Sequence, residues 1–217
     1  MEGERKMREI EYNLSNRPDP QEIRGFLHYE GWLDRAEQRQ ILADLREVIA
    51  KAPLFSPLMP SGKPMSVRMT SAGRFGWMTD RSGYRYAPAH PNGTPWPPIP
   101  ASLRAIWAAL LPEARAPECC LINFYSESAK MGLHQDRDEA DLSQPVLSLS
   151  LGDDGLFRIG NKTRGGSTQS LWLRSGDVMV MGGEARLAYH GVDRIAAGTS
   201  PLMPKGGRVN VTLRVVT

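Results

Sequence analysis

The chain has 217 residues, 41% hydrophobic and 24% charged, which suits one packed domain and excludes a disordered chain, a collagen or a coiled coil. Its 27 basic and 24 acidic residues leave a net charge of only +3, so charge alone does not mark a nucleic-acid binder. The basic set is nevertheless 21 Arg to 6 Lys, a bias that either serves bidentate recognition of carboxylates and phosphates or reflects genomic base composition.

Residues 1–22 are charged, carry Pro18 and Pro20, and are expected to form a loosely held arm. Their opening, MEGERKMREI, has no apolar stretch for a secretory signal. Gly25 to Leu33 is an apolar run expected as a strand. Asp34 to Ala50 predicts a helix, with Asp34 and Glu37 spaced as a capping box and Ile41, Leu42, Leu45, Val48 and Ile49 forming one apolar stripe. Proline-rich loops follow at 51–64 and 88–100, and a second helix is expected over Ala101 to Leu111. That stretch holds the longest apolar run, Ala105 to Leu111, far short of the roughly 18 residues a membrane helix needs.

From Glu118 the pattern changes to short alternating segments broken by glycine turns. The expected strands are Cys119–Tyr125, Val146–Leu151, Leu156–Ile159, Ser170–Leu173, Asp177–Met181 and Arg208–Val216, a sandwich or barrel pattern. Cys119 and Cys120 are adjacent and would close only a strained ring, so buried free thiols and a cytoplasmic protein are expected. No repeat or composition shift marks a second folded domain. The expectation is one domain over 1–217, with helices and loops at 23–117 laid onto a β core at 118–217.

His134-Gln135-Asp136 puts two ligand-type side chains at i and i+2, on one side of an extended chain. His190, 54 residues further on, can complete a set of two histidines and a carboxylate, the facial triad of non-haem Fe(II) oxygenases. With 4 His and 11 Asp, such a pair arises by chance roughly 0.2 times, and Asp136 on a loop with His134 in a polar network is the plainer alternative. In the last strand, Arg208, Asn210, Thr212 and Arg214 alternate with Val209, Val211, Leu213 and Val215. Those four polar side chains either face water or line a cavity built to hold a small dianion. Arg208 and Arg214 lie about 20 Å apart along a straight strand, so sharing one small ligand asks them to lean together.

The charge is also unevenly placed. Residues 62–90 carry Lys63, Arg68, Arg74, Arg81 and Arg85 against Asp80 alone, a net of +4, so the rest of the chain sums to −1. Phosphate attraction would be local to that segment and salt-sensitive.

Seven ordered blocks across roughly 50–217 carry a resemblance: MSVRMT (65–70), GWMTDRSGYRY (76–86), CLINFY (120–125), LHQDRDEADL (133–142), SLSLG (148–152), GDVMVMGGEARLAYHG (176–191) and RVNVTLR (208–214). The chain resembles the AlkB family of Fe(II)- and 2-oxoglutarate-dependent dioxygenases, most closely its bacterial DNA-repair members. The resemblance implies a mainly β, α+β fold: a double-stranded β-helix, or jelly roll, with N-terminal helices and a nucleotide-recognition lid at about 50–90. It implies that His134, Asp136 and His190 bind Fe(II). Asn123, Tyr125, Arg208, Asn210 and Arg214 would hold 2-oxoglutarate, with Arg208 on its distal carboxylate and Arg214 near the iron-bound end. Met69, Trp77, Tyr84, Arg85, Tyr86, Asp138 and Arg164 would contact the substrate. In that arrangement Trp77 stacks on a flipped base opposite His134, and Asp138 accepts from the exocyclic amine of that base. From the residues alone, Trp77 is equally a half-buried packing residue.

The implied activity is oxidative demethylation of N-methylated bases of the 1-methyladenine and 3-methylcytosine type. It consumes 2-oxoglutarate and O2 and releases formaldehyde, succinate and CO2. The expected partner is alkylated DNA, with RNA also open, no membrane, and a monomeric enzyme. Two alternatives stand beside it: the same chemistry on a protein or small molecule, which needs no Trp77 or basic segment, and a non-enzymatic jelly-roll binding module with structural histidines.

Overall fold

The computed structural model describes Tyr12 and residues 14–217. Most of the expected arm (1–11 and 13) lies outside the described residues. Of the remainder, Arg17 and the strand that begins at Gln21 are held, while the residues around them are exposed. Arg17 donates to the Trp32 carbonyl and pairs with Glu37, and its guanidinium lies 4.6 Å from the Trp32 ring.

The elements in chain order are β1 (Gln21–Ile23), β2 (Phe26–Tyr29), α1 (Arg35–Lys51), β3 (Arg68–Gly73), β4 (Gly76–Asp80), β5 (Gly83–Ala87), α2 (Ala101–Leu110), β6 (Cys119–Tyr125), β7 (Met131–His134), β8 (Val146–Gly152), β9 (Asp154–Ile159), β10 (Gln169–Leu173), β11 (Val178–Met181), β12 (His190–Ala196) and β13 (Arg208–Arg214). Gly25 does not open a strand. Arg24 and Gly25 both have positive φ (52° and 83°) and make the two-residue turn of the β1–β2 hairpin. The α1 capping box forms as its spacing predicts: Asp34 accepts from the amides of Ala36 and Glu37, and Glu37 accepts from the Asp34 amide.

Two antiparallel sheets face each other. The larger has the order β1-β2-β11-β8-β13-β6-β3, the smaller β10-β9-β12-β7, and β4–β5 is a separate hairpin. Strand alternation sorts the larger sheet's side chains into two cores. Val209, Val211, Leu213, Leu147, Leu149 and Ile122 pack with Ile41, Leu45, Leu103 and Ile106 of the helices. Cys119, Leu121, Tyr125, Met69, Met179 and Met181 pack inward with Phe157, Ile159 and Val192 of the smaller sheet. Arg208, Asn210, Thr212 and Arg214 take the inward side of β13, and Arg208, Thr212 and Arg214 are buried there. The exposed-face reading of that strand therefore fails. Both cysteines are buried free thiols on β6. Among the described residues no helix is long and apolar enough to cross a membrane.

Candidate metal centre and cosubstrate cavity

His134 ends β7 and His190 begins β12, and the two are register partners across the sheet. Directly opposed residues share a face, so their rings come within 4.6 Å, centroid to centroid. Gly191 allows this approach: a Cβ there would stand 2.5 Å from the Met131 carbonyl oxygen. Asp136, two residues past His134, enters the same space. Its carboxylate lies 3.7 Å from His134 Nε2 and 3.8 Å from His190 Nε2. All three donor atoms fall within 4.8 Å of one another, room for a cation about 2 Å from each. His134 Nδ1 faces the Gly132 carbonyl at 2.9 Å and His190 Nδ1 the Ala188 carbonyl at 3.0 Å. Each carbonyl takes the Nδ1 proton and frees Nε2 as a ligand. Burial, and then His134, pull the His190 pKa down to about 4, so its ring is neutral at neutral pH. Burial pushes Asp136 toward protonation, but Arg214, His190 and His134 together hold it well below the usual carboxylate range.

Behind the triad lies a buried charge network. Arg214 Nη2 donates to Asp136 Oδ2 at 3.0 Å and Nη1 to Glu139 Oε1 at 2.9 Å. Arg186 donates to Glu139 Oε2 at 3.0 Å and to the Asp136 carbonyl. Tyr86 donates its hydroxyl to Glu139. At the other end of β13 the position is different. Arg208 is fully buried and donates only to neutral acceptors: the Leu173 carbonyl at 3.0 Å, the Asp153 carbonyl at 3.3 Å and Ser150 Oγ at 2.7 Å. Burial lowers its pKa from the ordinary value. Its Nε and the Arg214 Nε are buried donors without partners. Orphaned buried donors and an unmatched buried cation are costly unless a ligand meets them. A dicarboxylate is such a ligand, so these residues fit 2-oxoglutarate.

The triad, Asn123, Tyr125, Arg208, Asn210, Thr212 and Arg214 line one cavity of about 450 Å³. Met69, Trp77, Tyr84, Asp138 and Arg164 line it too. Trp77 stacks on Tyr84, with ring centroids 5.7 Å apart at 23°, and its Nε1 donates to Asp138 Oδ2 at 2.9 Å. Arg164 lies over Tyr189, 5.3 Å from the ring centroid. Two expected substrate contacts do not reach the cavity. The Arg85 guanidinium points along its own hairpin to Asp80, and Tyr86 points to Glu139 and Arg214. The sequence reading also passed over Glu139, Arg186, Ser148, Ser150 and the methionines Met59, Met65, Met131, Met179 and Met181, five further methionines that line the cavity with Met69.

Residues 25–214 match the 2OG-Fe(II) oxygenase superfamily. An alpha-ketoglutarate-dependent dioxygenase AlkB homolog of Caulobacter vibrioides is 49% identical over 193 residues, 88% of each chain. The chain belongs to the AlkB family. The AlkB of Escherichia coli is 42% identical over 181 residues, 81% of this chain and 83% of its own. The solved structure of OsALKBH1 superposes with a TM-score of 0.77 at 31% identity, covering 90% of this chain and all of that one. A tRNA demethylase of Schizosaccharomyces pombe is 30% identical over 145 residues, 64% of this chain and 48% of its own. This AlkB-family protein is thus a jelly-roll dioxygenase that uses Fe(II), 2-oxoglutarate and O2, and His134, Asp136 and His190 form a group able to hold its metal.

Proposed function

We propose that this dioxygenase repairs alkylated nucleic acid by removing methyl groups from ring nitrogens of adenine and cytosine. The observation that carries the reading is the mouth of the cavity, where an aromatic wall and a carboxylate stand over the metal site. Trp77 supplies a stacking surface. Its indole occupies Asp138 Oδ2, which leaves Oδ1 to accept from an exocyclic amine. A carboxylate there also favours a methylated, cationic base. A relative named as a DNA N(6)-methyladenine demethylase in Arabidopsis thaliana supports DNA as a substrate, and the tRNA demethylase supports RNA.

In this reading His134, Asp136 and His190 hold Fe(II). Asn123, Tyr125, Arg208 and Asn210 hold 2-oxoglutarate, with Arg208 on its distal carboxylate and Arg214 fixing the end nearest the metal through Asp136. Met69, Tyr84 and Arg164 shape the approach of the base. When bound, iron, 2-oxoglutarate and O2 supply the oxidation of an otherwise inert N-methyl C–H bond. One oxygen atom ends in succinate and the other in formaldehyde, with CO2 released and the base restored. Residues 50–90 serve as the lid and 118–217 as the core of one catalytic domain, acting as a monomer in the cytoplasm.

The test is formaldehyde release from oligonucleotides carrying 1-methyladenine or 3-methylcytosine, as DNA and as RNA, single- and double-stranded. Release that depends on iron and 2-oxoglutarate is expected. No release from either lesion in any strand form refutes the substrate assignment.

A further inference from the structure

The β4–β5 hairpin and the loop that carries Asp136 are fastened together at two adjacent points. Trp77 and Tyr86 are register partners across the hairpin, so their side chains share a face. Asp138 and Glu139 are neighbours on the loop. Trp77 Nε1 donates to Asp138 at 2.9 Å, and the Tyr86 hydroxyl donates to Glu139. The first contact is exposed to solvent, whereas the Glu139 side chain is completely buried. Glu139 is also the hub behind the metal site. Through Arg214 it fixes the Asp136 carboxylate, and through Arg186 the Asp136 backbone carbonyl. A displacement of the hairpin that breaks the Tyr86 contact therefore removes one donor from the carboxylate that aims Asp136.

We propose that Tyr86 is a positioning residue whose hydroxyl, acting on Glu139, sets the distance between the stacking wall at Trp77 and the metal ligand Asp136, and so couples 2-oxoglutarate consumption to demethylation. This rests on the demethylation reading above. The hydroxyl does not line the cavity, and it also accepts from Arg214 Nη1 at 3.2 Å. It transmits the seating of the hairpin to the ligand loop. A methyl group held at the wrong distance from the metal is not oxidised even when 2-oxoglutarate is consumed, so loss of the contact appears as wasted cosubstrate rather than as lost cosubstrate binding.

The test compares wild type with Tyr86→Phe, which keeps the packed ring and removes only the hydroxyl. Succinate and formaldehyde are measured in the same reaction on a 1-methyladenine oligonucleotide. In the variant, succinate formed per formaldehyde released should rise about fivefold, the factor that one hydrogen bond of ordinary net strength brings. The KM for 2-oxoglutarate should stay within about twofold, since none of its proposed contacts changes. A second readout needs no cofactor: in the metal-free protein, backbone amides of 76–87 should exchange faster in the variant. An unchanged succinate-to-formaldehyde ratio overturns the proposal, even if the variant melts at a lower temperature, because a merely structural hydroxyl lowers stability and leaves the ratio alone. Unchanged exchange in the hairpin overturns it too. If wild type releases no formaldehyde at all, the demethylation reading fails, while the exchange experiment still tests the strut.

Discussion

Replacing Arg208 by methionine separates a ligand anchor from a structural cation. The side chain is fully buried, and no carboxylate among the described residues pairs with it. Ordering an unmatched guanidinium inside the sandwich costs several kcal/mol of desolvation, only part of which its three neutral acceptors return. Methionine fills a similar length of space and removes that cost, but it strands Ser150 Oγ and two carbonyls at about 1 kcal/mol each. The two effects oppose, so ligand-free stability should stay within about 2 kcal/mol of wild type. Binding should behave very differently. Breaking a buried charge pair costs about 3–5 kcal/mol, equivalent to roughly 10²–10⁴-fold in the affinity for 2-oxoglutarate. The assay is a 2-oxoglutarate titration followed by tryptophan fluorescence, with Mn(II) replacing iron, beside urea unfolding without ligand. A loss of affinity under tenfold, or a ligand-free destabilisation above about 4 kcal/mol, would refute the reasoning and make Arg208 a strut.

Trp77→Ala should weaken binding of a methylated oligonucleotide by about 1–3 kcal/mol, some 5- to 150-fold, and leave the KM for 2-oxoglutarate unchanged; a parallel loss of both shows that Trp77 only packs. Charge reversal in the lid should weaken nucleic-acid binding more at Arg81 than at Arg46 on the exposed face of α1, and should lower the salt slope by about 0.9 per phosphate lost. Equal effects at the two sites would show the patch to be solvated surface. Arg74 is the less informative site, because it pairs with Glu118. Glu118 itself accepts from the Val216 and Thr217 amides and anchors the end of the chain. Burial pushes its pKa up, but those amides and Arg74 outweigh it and hold the group below its ordinary value. A depressed carboxylate stabilises the fold above its unfolded pKa and loses that contribution as pH falls through its folded one. Glu118→Gln should therefore cost about 1–2 kcal/mol in urea unfolding at pH 7 and almost nothing once the wild-type carboxylate is protonated; a pH-independent difference contradicts the assignment.

The larger sheet was legible because its strands carry a simple signal. β6, β8 and β13 are long, apolar on alternate positions and bounded by turns. The strands that build the site carry less of it. MGLH at β7 is four residues long, and HGVDRIA at β12 mixes charge with aliphatics. Neither has a period that stands out, and their pairing, which brings His134 beside His190, joins residues far apart in sequence. The edge strand β3 and the β4–β5 hairpin lie in a segment rich in polar residues, where short strands look like loop. Glu139 and Arg186 escaped for another reason. An acid in a run of charges reads as surface, and only the arrival of Arg214, Arg186 and Tyr86 from three distant segments makes it a buried hub.

The two arginines of β13 show what alternation can and cannot decide. It puts Arg208 and Arg214 on one face, and both do line one cavity. It does not tell which of the two is matched within the protein. Arg214 is matched within the protein by Asp136 and Glu139, while Arg208 meets only neutral acceptors. Arg186 and Arg214 balance Asp136 and Glu139, so that network is neutral before a metal binds, while Arg208 forms no ion pair with a described carboxylate and has only the more distant Asp154 and Asp177 to offset it. A divalent cation adds two positive charges to this space, and a dicarboxylate is a small ligand that offsets them while reaching both the metal and Arg208. The cavity's other carboxylate stands outside this network. Asp138 is exposed at the mouth of the cavity, where on the proposed reading it answers the positive charge of a methylated base instead of quenching the charge that holds the cosubstrate.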